Sequence, residues 1–175
     1  MDLKDYIRSI QDYPKKGILF RDITTLIKDE KAFSETIDQI IERSKKMKFN
    51  KIAAIESRGF VFASAVSYIL KKPFIMLRKK DKLPADVHSV DFELEYGKAT
   101  IEVHKDSISE GDSILIIDDL IATGGTALAA ISLVKRLEAS ISGCSFIIDL
   151  PVLEGNKKIT DLGIEIQTLC EFSGH

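Results

Sequence analysis

The chain has 175 residues, 25 of them Lys or Arg and 27 Asp or Glu, for a net charge of −2, and 45% of its residues are hydrophobic. That length and apolar share fit one globular domain, 1–175, with a substantial core. The near-balanced charge gives no ground for binding nucleic acid or a membrane surface, and no apolar run approaches the ~20 residues of a membrane span.

The start, Met1 to Tyr6, is polar and lacks a signal-peptide core. Leu3, Tyr6, Ile7 and Ile10 keep the spacing of an amphipathic helix, stopped by Pro14. Pro14 to Thr24 (P-K-K-G-I-L-F-R-D-I-T) is irregular and partly apolar, and read alone it could be a loop packed on the core. Phe33, Ile37, Ile40, Ile41 and Ser44 predict a helix whose basic end, Lys45, Lys46 and Lys48, suits the dipole. Ile52 to Ile55 reads as a buried strand, Glu56 to Phe60 (E-S-R-G-F) as the turn after it, and Val61 to Leu70 as a well-buried, nearly apolar helix. Arg58 offers a fixed cation with a planar fork suited to a diphosphate.

Pro73 to Leu77 is another buried strand, leading into a charged stretch without periodicity, Arg78 to Asp91, of the length usual for lids or disordered loops. Residues 92–97 and 99–104 alternate as an edge hairpin with its turn at Gly97-Lys98, leaving Glu93, Glu95 and Glu102 readable as its wet face. Cys144 to Leu150 is a further buried strand, Lys157 to Leu162 a short helix and Ile164 to Leu169 a final strand. Cys144 and Cys170 sit in apolar runs, as buried free thiols of a cytoplasmic protein would.

The most informative stretch is Ser113 to Ile131. Four β-branched or large apolar residues, Ile114 to Ile117, predict a strand buried on both faces. Asp118 and Asp119 fall where that strand should end, followed by Ala122-Thr123-Gly124-Gly125-Thr126 and a helical pattern from about Thr126. The glycines allow a tight turn and close backbone approach. Amides of the loop and first helical turn then converge where the dipole favours an anion, and Thr123 and Thr126 add hydroxyls. The two carboxylates would repel a phosphate but suit the hydroxyls of a ribose, so a sugar phosphate is the natural ligand. An ordinary Gly-rich turn would explain Gly124 and Gly125, but not a carboxylate pair ending a buried strand. The loop has neither the Lys of a Walker motif nor the spacing of a dinucleotide fingerprint.

I-I-D-D-L-I-A-T-G-G-T resembles the phosphoribosyl-diphosphate (PRPP) signature of the type I phosphoribosyltransferases, in the form carried by those acting on adenine. The resemblance implies an α/β fold: a mainly parallel sheet flanked by helices, an N-terminal base-binding hood (1–30), a core (31–175) and a flexible lid hairpin (about 78–105). Residues 14–24 are similar to the family's hood motif, with Lys16 in place of its second Pro. Phe20 would then stack on the purine, while the backbone of Leu19 and Arg21 addresses its edge. The E-S-R-G-F turn resembles the family's pyrophosphate loop, where a non-proline cis peptide often occurs. Ser57, Arg58, Arg78, Lys79 and Lys82 would hold the diphosphate. Ala122 to Thr126 would hold the 5′-phosphate, and Asp118 and Asp119 the ribose. Glu95, of L-E-Y-G, would be the catalytic acid/base beside Arg58; His88 has no counterpart role.

The resemblance further implies transfer of the phosphoribosyl group from PRPP to adenine, giving AMP and diphosphate, with Mg²⁺ carried by PRPP and no protein-held metal, in a homodimer. Two alternatives stay open. One is a phosphoribosyltransferase for another purine, against which Ile148 to Pro151 supplies no Lys for a 6-oxo group. The other is a PRPP-sensing regulator, for which the chain has no room for a DNA-binding domain.

Overall fold

The computed structural model describes residues 1–94 and 97–174. A single 3₁₀ turn, Leu3–Tyr6, leads into β1 (Arg8–Gln11), which pairs antiparallel with β2 (Leu19–Asp22) in a separate two-stranded sheet. The helix expected through Ile10 is therefore one turn only. Leu3 and Ile7 are buried as their spacing asked, but from Arg8 the backbone extends to pair with residues of the segment read as irregular. The Tyr13–Pro14 peptide in the hairpin loop is cis.

After α1 (Thr24–Ile27), the Asp29 carboxylate accepts from the amides of Lys31 and Ala32 and so caps α2 (Glu30–Ser44), as a short acidic side chain does at a helix start. Then follow β3 (Lys51–Ile55), α3 (Arg58–Leu70), β4 (Phe74–Lys79), β5 (Val87–Leu94), β6 (Gly97–His104) and β7 (Ser113–Ile121). The chain finishes with α4 (Gly125–Arg136), β8 (Ser140–Asp149), α5 (Gly155–Thr160) and β9 (Ile166–Glu171).

Seven strands form the main sheet in the order β5-β6-β4-β3-β7-β8-β9. From β4 to β9 the neighbours are parallel, while β6 runs antiparallel to both β4 and β5. Strand β7 is central, and its alternation divides the core. Ile114 and Ile116 pack toward Ala127, Ile131 and Val134 of α4, whereas Leu115 and Ile117 pack toward Ile40 of α2 and Phe62 of α3. All four β7 side chains are fully buried, each stabilising the fold by ~1.5–3 kcal/mol. Both cysteines are buried free thiols, and burial pushes Cys144 to about 12 and Cys170 to about 11.

Several expectations are corrected. Strand β7 does not end at Asp118 but continues through both carboxylates to Ile121, because β8 pairs with it as far as Asp149. Helix α3 starts at Arg58, inside the presumed turn. It is not buried all round: Phe62, Ala63 and Val66 face the core, but Val61, Ile69 and Tyr68 are exposed, the last by 85%. Half of the aperiodic stretch 78–91 is strand, since β4 reaches Lys79 and β5 starts at Val87. Gly97 and Lys98 already belong to β6, opposite Leu94 and Glu93, so they are not the turn. Glu102 is buried rather than wet, because its carboxylate accepts the Asp81 amide at 3.0 Å.

Candidate active site

Parallel strands end together, and their C-terminal loops form the natural crevice of an open α/β sheet. The end of β4 and the loops after β3 and β7 here line a cleft of about 340 Å³. Its walls include Ser57, Arg58, Arg78, Lys79, Asp118, Asp119 and the run Ala122 to Thr126. Residues separated by up to 69 positions in sequence thus share one concavity.

Asp118 and Asp119 are consecutive on β7, and both carboxylates meet the start of α3, Asp118 at Gly59 and Asp119 at Arg58. Asp119 is 4% exposed, with its Oδ2 2.9 Å from Arg58 Nε. Asp118 accepts the backbone amide of Asp119 at 2.9 Å. Burial pushes the Asp118 carboxyl well above the ordinary carboxylate range, and the charge of Asp119 pushes it further. Burial raises Asp119 too, opposed by Arg58. Such a desolvated acidic pair costs the unliganded fold stability, a mark of a site kept for binding.

The loop that follows turns at Gly124, whose φ of +82° places it in the left-handed region that L side chains avoid. Its carbonyl then accepts the Leu128 amide, starting α4. Gly124 to Ala127, where a helix start leaves its amides without helical partners, line the cleft.

The Glu56–Ser57 peptide is cis, and Ser57 is the residue before α3. Arg58, in the first turn of α3, meets Asp119. Its guanidinium also lies 5.4 Å from the Phe20 ring, which packs edge-on against Tyr13. Arg78 lines the cleft, but its Nε donates to Glu56 at 2.8 Å and an Nη to the Lys82 carbonyl. Beyond that carbonyl Lys82 takes no part in the cleft wall; its side chain is exposed. Leu19, Phe20 and Arg21 sit on β2 outside the wall, and the Phe20 ring meets Arg58 of that wall. The Arg21 side chain is buried elsewhere, over the Phe172 ring at 4.2 Å and donating to Ser9 Oγ. Glu95 lies outside the described residues. His88 is half-buried on β5, outside the cleft wall.

Two glycines near the site had no role of their own in the sequence reading. A Cβ on Gly59 would lie 2.8 Å from Asp118 Oδ1, so α3 approaches β7 this closely only with glycine there. A Cβ on Gly155 would lie 2.2 Å from the Ala122 carbonyl oxygen. Gly59 entered the sequence reading only as part of E-S-R-G-F, and Gly155 has no sequence signal beyond being glycine.

A family model described as Phosphoribosyl transferase domain matches residues 24–170. A protein named adenine phosphoribosyltransferase from Pelagibacter ubique (strain HTCC1062) is 70% identical over 175 residues, covering all of both chains. The crystal structure of adenine phosphoribosyltransferase from Thermoanaerobacter pseudethanolicus superposes with a TM-score of 0.93 at 44% identity, covering 97% of this chain and 98% of that one. The Saccharomyces cerevisiae adenine phosphoribosyltransferase, solved in complex with an imino-altritol bisphosphate and adenine, gives 0.87 at 34% identity, with 96% of each chain covered. The fold is that of a phosphoribosyltransferase, and the chain belongs to that family. Within it, the chain falls among the adenine phosphoribosyltransferases.

Proposed function

We infer that the protein transfers the 5-phosphoribosyl group from PRPP to adenine, giving AMP and diphosphate, a purine salvage step. The observation that carries this reading is the loop 122–126 lining one cleft with the carboxylates Asp118 and Asp119, with Arg58 against Asp119. Displacing diphosphate from the anomeric carbon builds oxocarbenium-like charge on the ribose. Residues 122–126 anchor the 5′-phosphate through backbone amides. Asp118 and Asp119 accept from the ribose hydroxyls. Ser57, Arg58, Arg78, Lys79 and Lys82 gather round the leaving diphosphate, which requires Arg78 to exchange Glu56 for the ligand. The hairpin about 78–105 acts as the lid, and Glu95 handles the purine proton. Positioning and fixed charge supply most of the rate in such a site.

Mg²⁺ enters on PRPP with its waters, offsetting diphosphate charge, as this cation does when bound mainly through phosphate oxygens. In that arrangement Asp118 and Asp119 are left for the ribose hydroxyls. On the base side, Phe20 stacks on the purine, and the Leu19 carbonyl and Arg21 amide read its edge. The end of β8, Ile148 to Asp149, offers no Lys to a 6-oxo purine, which disfavours the other bases. The exposed Val61, Tyr68 and Ile69, one face of α3 by their i, i+7, i+8 spacing, together with exposed Met76 on β4, support a homodimer through that face. Buried free thiols are in keeping with a cytoplasmic enzyme, and among the described residues no helix is long and apolar enough to cross a membrane.

The test is product identity after incubation with PRPP, Mg²⁺ and a panel of nucleobases. AMP and diphosphate from adenine are expected; nucleotide from a different base alone, or none at all, contradicts the reading.

A further inference from the structure

The phosphate loop is held from behind by a short helix that takes no part in the cleft wall. Gly155, at the start of α5, donates its amide to the Ala122 carbonyl at 3.0 Å. One turn on, Lys158 Nζ donates to the Thr123 carbonyl at 2.9 Å. The helix is itself tied to the sheet. Asn156 Nδ2 donates to the Asp149 carboxylate on β8 at 2.8 Å, and Ile159 is fully buried. The fit between loop and helix leaves no slack: a Cβ on Gly155 would lie 2.2 Å from the Ala122 oxygen and 2.7 Å from the Gly124 nitrogen.

A trans peptide is planar, with its carbonyl and N–H pointing in opposite directions. Fixing the Ala122 carbonyl toward α5 turns the Thr123 amide the other way, and fixing the Thr123 carbonyl does the same for the Gly124 amide. Both amides are thereby aimed away from α5, to the side on which the loop lines the cleft. Without these partners two successive peptide planes in a glycine-containing loop would be free to rotate, and a phosphate would have to order them on binding.

We propose that α5 is a strut for the phosphate loop, with Gly155 and Lys158 as positioning residues that pre-aim the Thr123 and Gly124 amides at the 5′-phosphate of PRPP and AMP. This rests on the reading of residues 122–126 as the phosphate cradle. Lys158 acts through a carbonyl rather than on substrate, so its loss weakens phosphate binding in ground state and transition state alike. That signature is a raised KM for PRPP with little change in kcat.

The experiment compares steady-state kinetics and AMP titrations for the parent, Lys158→Met, Lys158→Arg, Gly155→Ala, Lys157→Met and Gly125→Val. Lys158→Met should raise KM for PRPP and Kd for AMP by about tenfold, the scale of one charge-assisted hydrogen bond, with KM for adenine and kcat little changed. Lys158→Arg should recover most of the loss. Gly155→Ala, which alters no charge, should raise the same KM at least as much. Lys157→Met removes an equal charge from a neighbour that pairs with Glu154, and should match the parent. Gly125→Val should lose PRPP binding with the fold kept, since a Cβ there meets nothing nearer than the Glu93 carbonyl at 3.4 Å. If Gly155→Ala does not fold, the Lys158 pair with its Lys157 control decides. Parental KM for PRPP in Lys158→Met, or an equal loss in Lys157→Met, overturns the strut while the cradle stands if Gly125→Val fails to bind. A Gly125→Val variant that titrates PRPP like the parent overturns the cradle itself.

Discussion

Arg58 Nε lies 2.9 Å from Asp119 Oδ2, and the same guanidinium stands 5.4 Å from the Phe20 ring. One side chain in the first turn of α3 therefore joins the hood hairpin to the acidic end of β7. On the proposed function, ribose and diphosphate enter between these groups, and the carboxylates and the arginine act on ligand together.

Asp118→Asn and Asp119→Asn each keep the size of the side chain and weaken a charge-assisted acceptor, worth ~1.5–3 kcal/mol. Calorimetric titration should show both PRPP and AMP binding less tightly, by roughly ten- to a hundredfold. Free adenine should be little affected. Nucleotide affinity unchanged in both variants contradicts the ribose assignment.

The same pair predicts a pH dependence. Burial raises the Asp118 carboxyl, helped by Asp119, so the folded protein keeps a proton that the unfolded chain loses near the ordinary value of ~3.9. Below that value both states are protonated and the contribution is full. As pH rises the unfolded state binds fewer protons than the native one, and stability falls until the folded carboxyl has ionised. Unliganded parent should thus lose thermal stability from mildly acidic pH upward. Asp118→Asn should flatten that slope and melt higher than the parent near neutrality, while binding nucleotide worse. A variant melting no higher, with the parental slope, would show that the pair carries no such cost.

Asp22 runs the other way. Its hydrogen bond with Arg8, with the Thr24 amide also donating at 2.9 Å, lowers its carboxyl to about 2. The contribution is present above the unfolded pKa and is lost as pH falls through the folded one, and it amounts to on the order of 1–2 kcal/mol. Because Arg8 is on β1 and Asp22 on β2, Asp22→Asn should loosen the hood. Melting should drop at neutral pH, with the gap from the parent closing in strong acid. An equal gap at both ends of the range would place the effect elsewhere than in the charge.

Where a strand is buried on both faces, side-chain type alone announces it, and Ile114 to Ile117 were legible for that reason. The carboxylates after them stood out because a desolvated acidic pair has no structural use, whereas an ordinary turn would account for the glycines. The hood hairpin was hidden because Leu3 and Ile7 satisfy a helical spacing that a single 3₁₀ turn also satisfies, and the pairing of Ser9 with Arg21 is a tertiary choice. Glu102 looked wet because its partner is the Asp81 backbone, 21 positions away. The exposed face of α3 could not be told from its buried face, since both are apolar. Gly155 and Lys158 carried no signal, as their partners are loop carbonyls that any residue supplies.

Base choice tests the central claim most directly. A backbone carbonyl at Leu19 and an amide at Arg21 match adenine, with its amine donor beside an unprotonated ring nitrogen. Hypoxanthine presents a carbonyl and an N–H instead, leaving polar groups unpaired at a cost of ~1–3 kcal/mol each. Sites built on hydrogen bonding reject such analogues by ~10⁴ or more. The measurement is competition between adenine and hypoxanthine for limiting PRPP, with AMP and IMP quantified. Adenine should be preferred by at least about a thousandfold in kcat/KM; comparable yields of AMP and IMP would contradict the account.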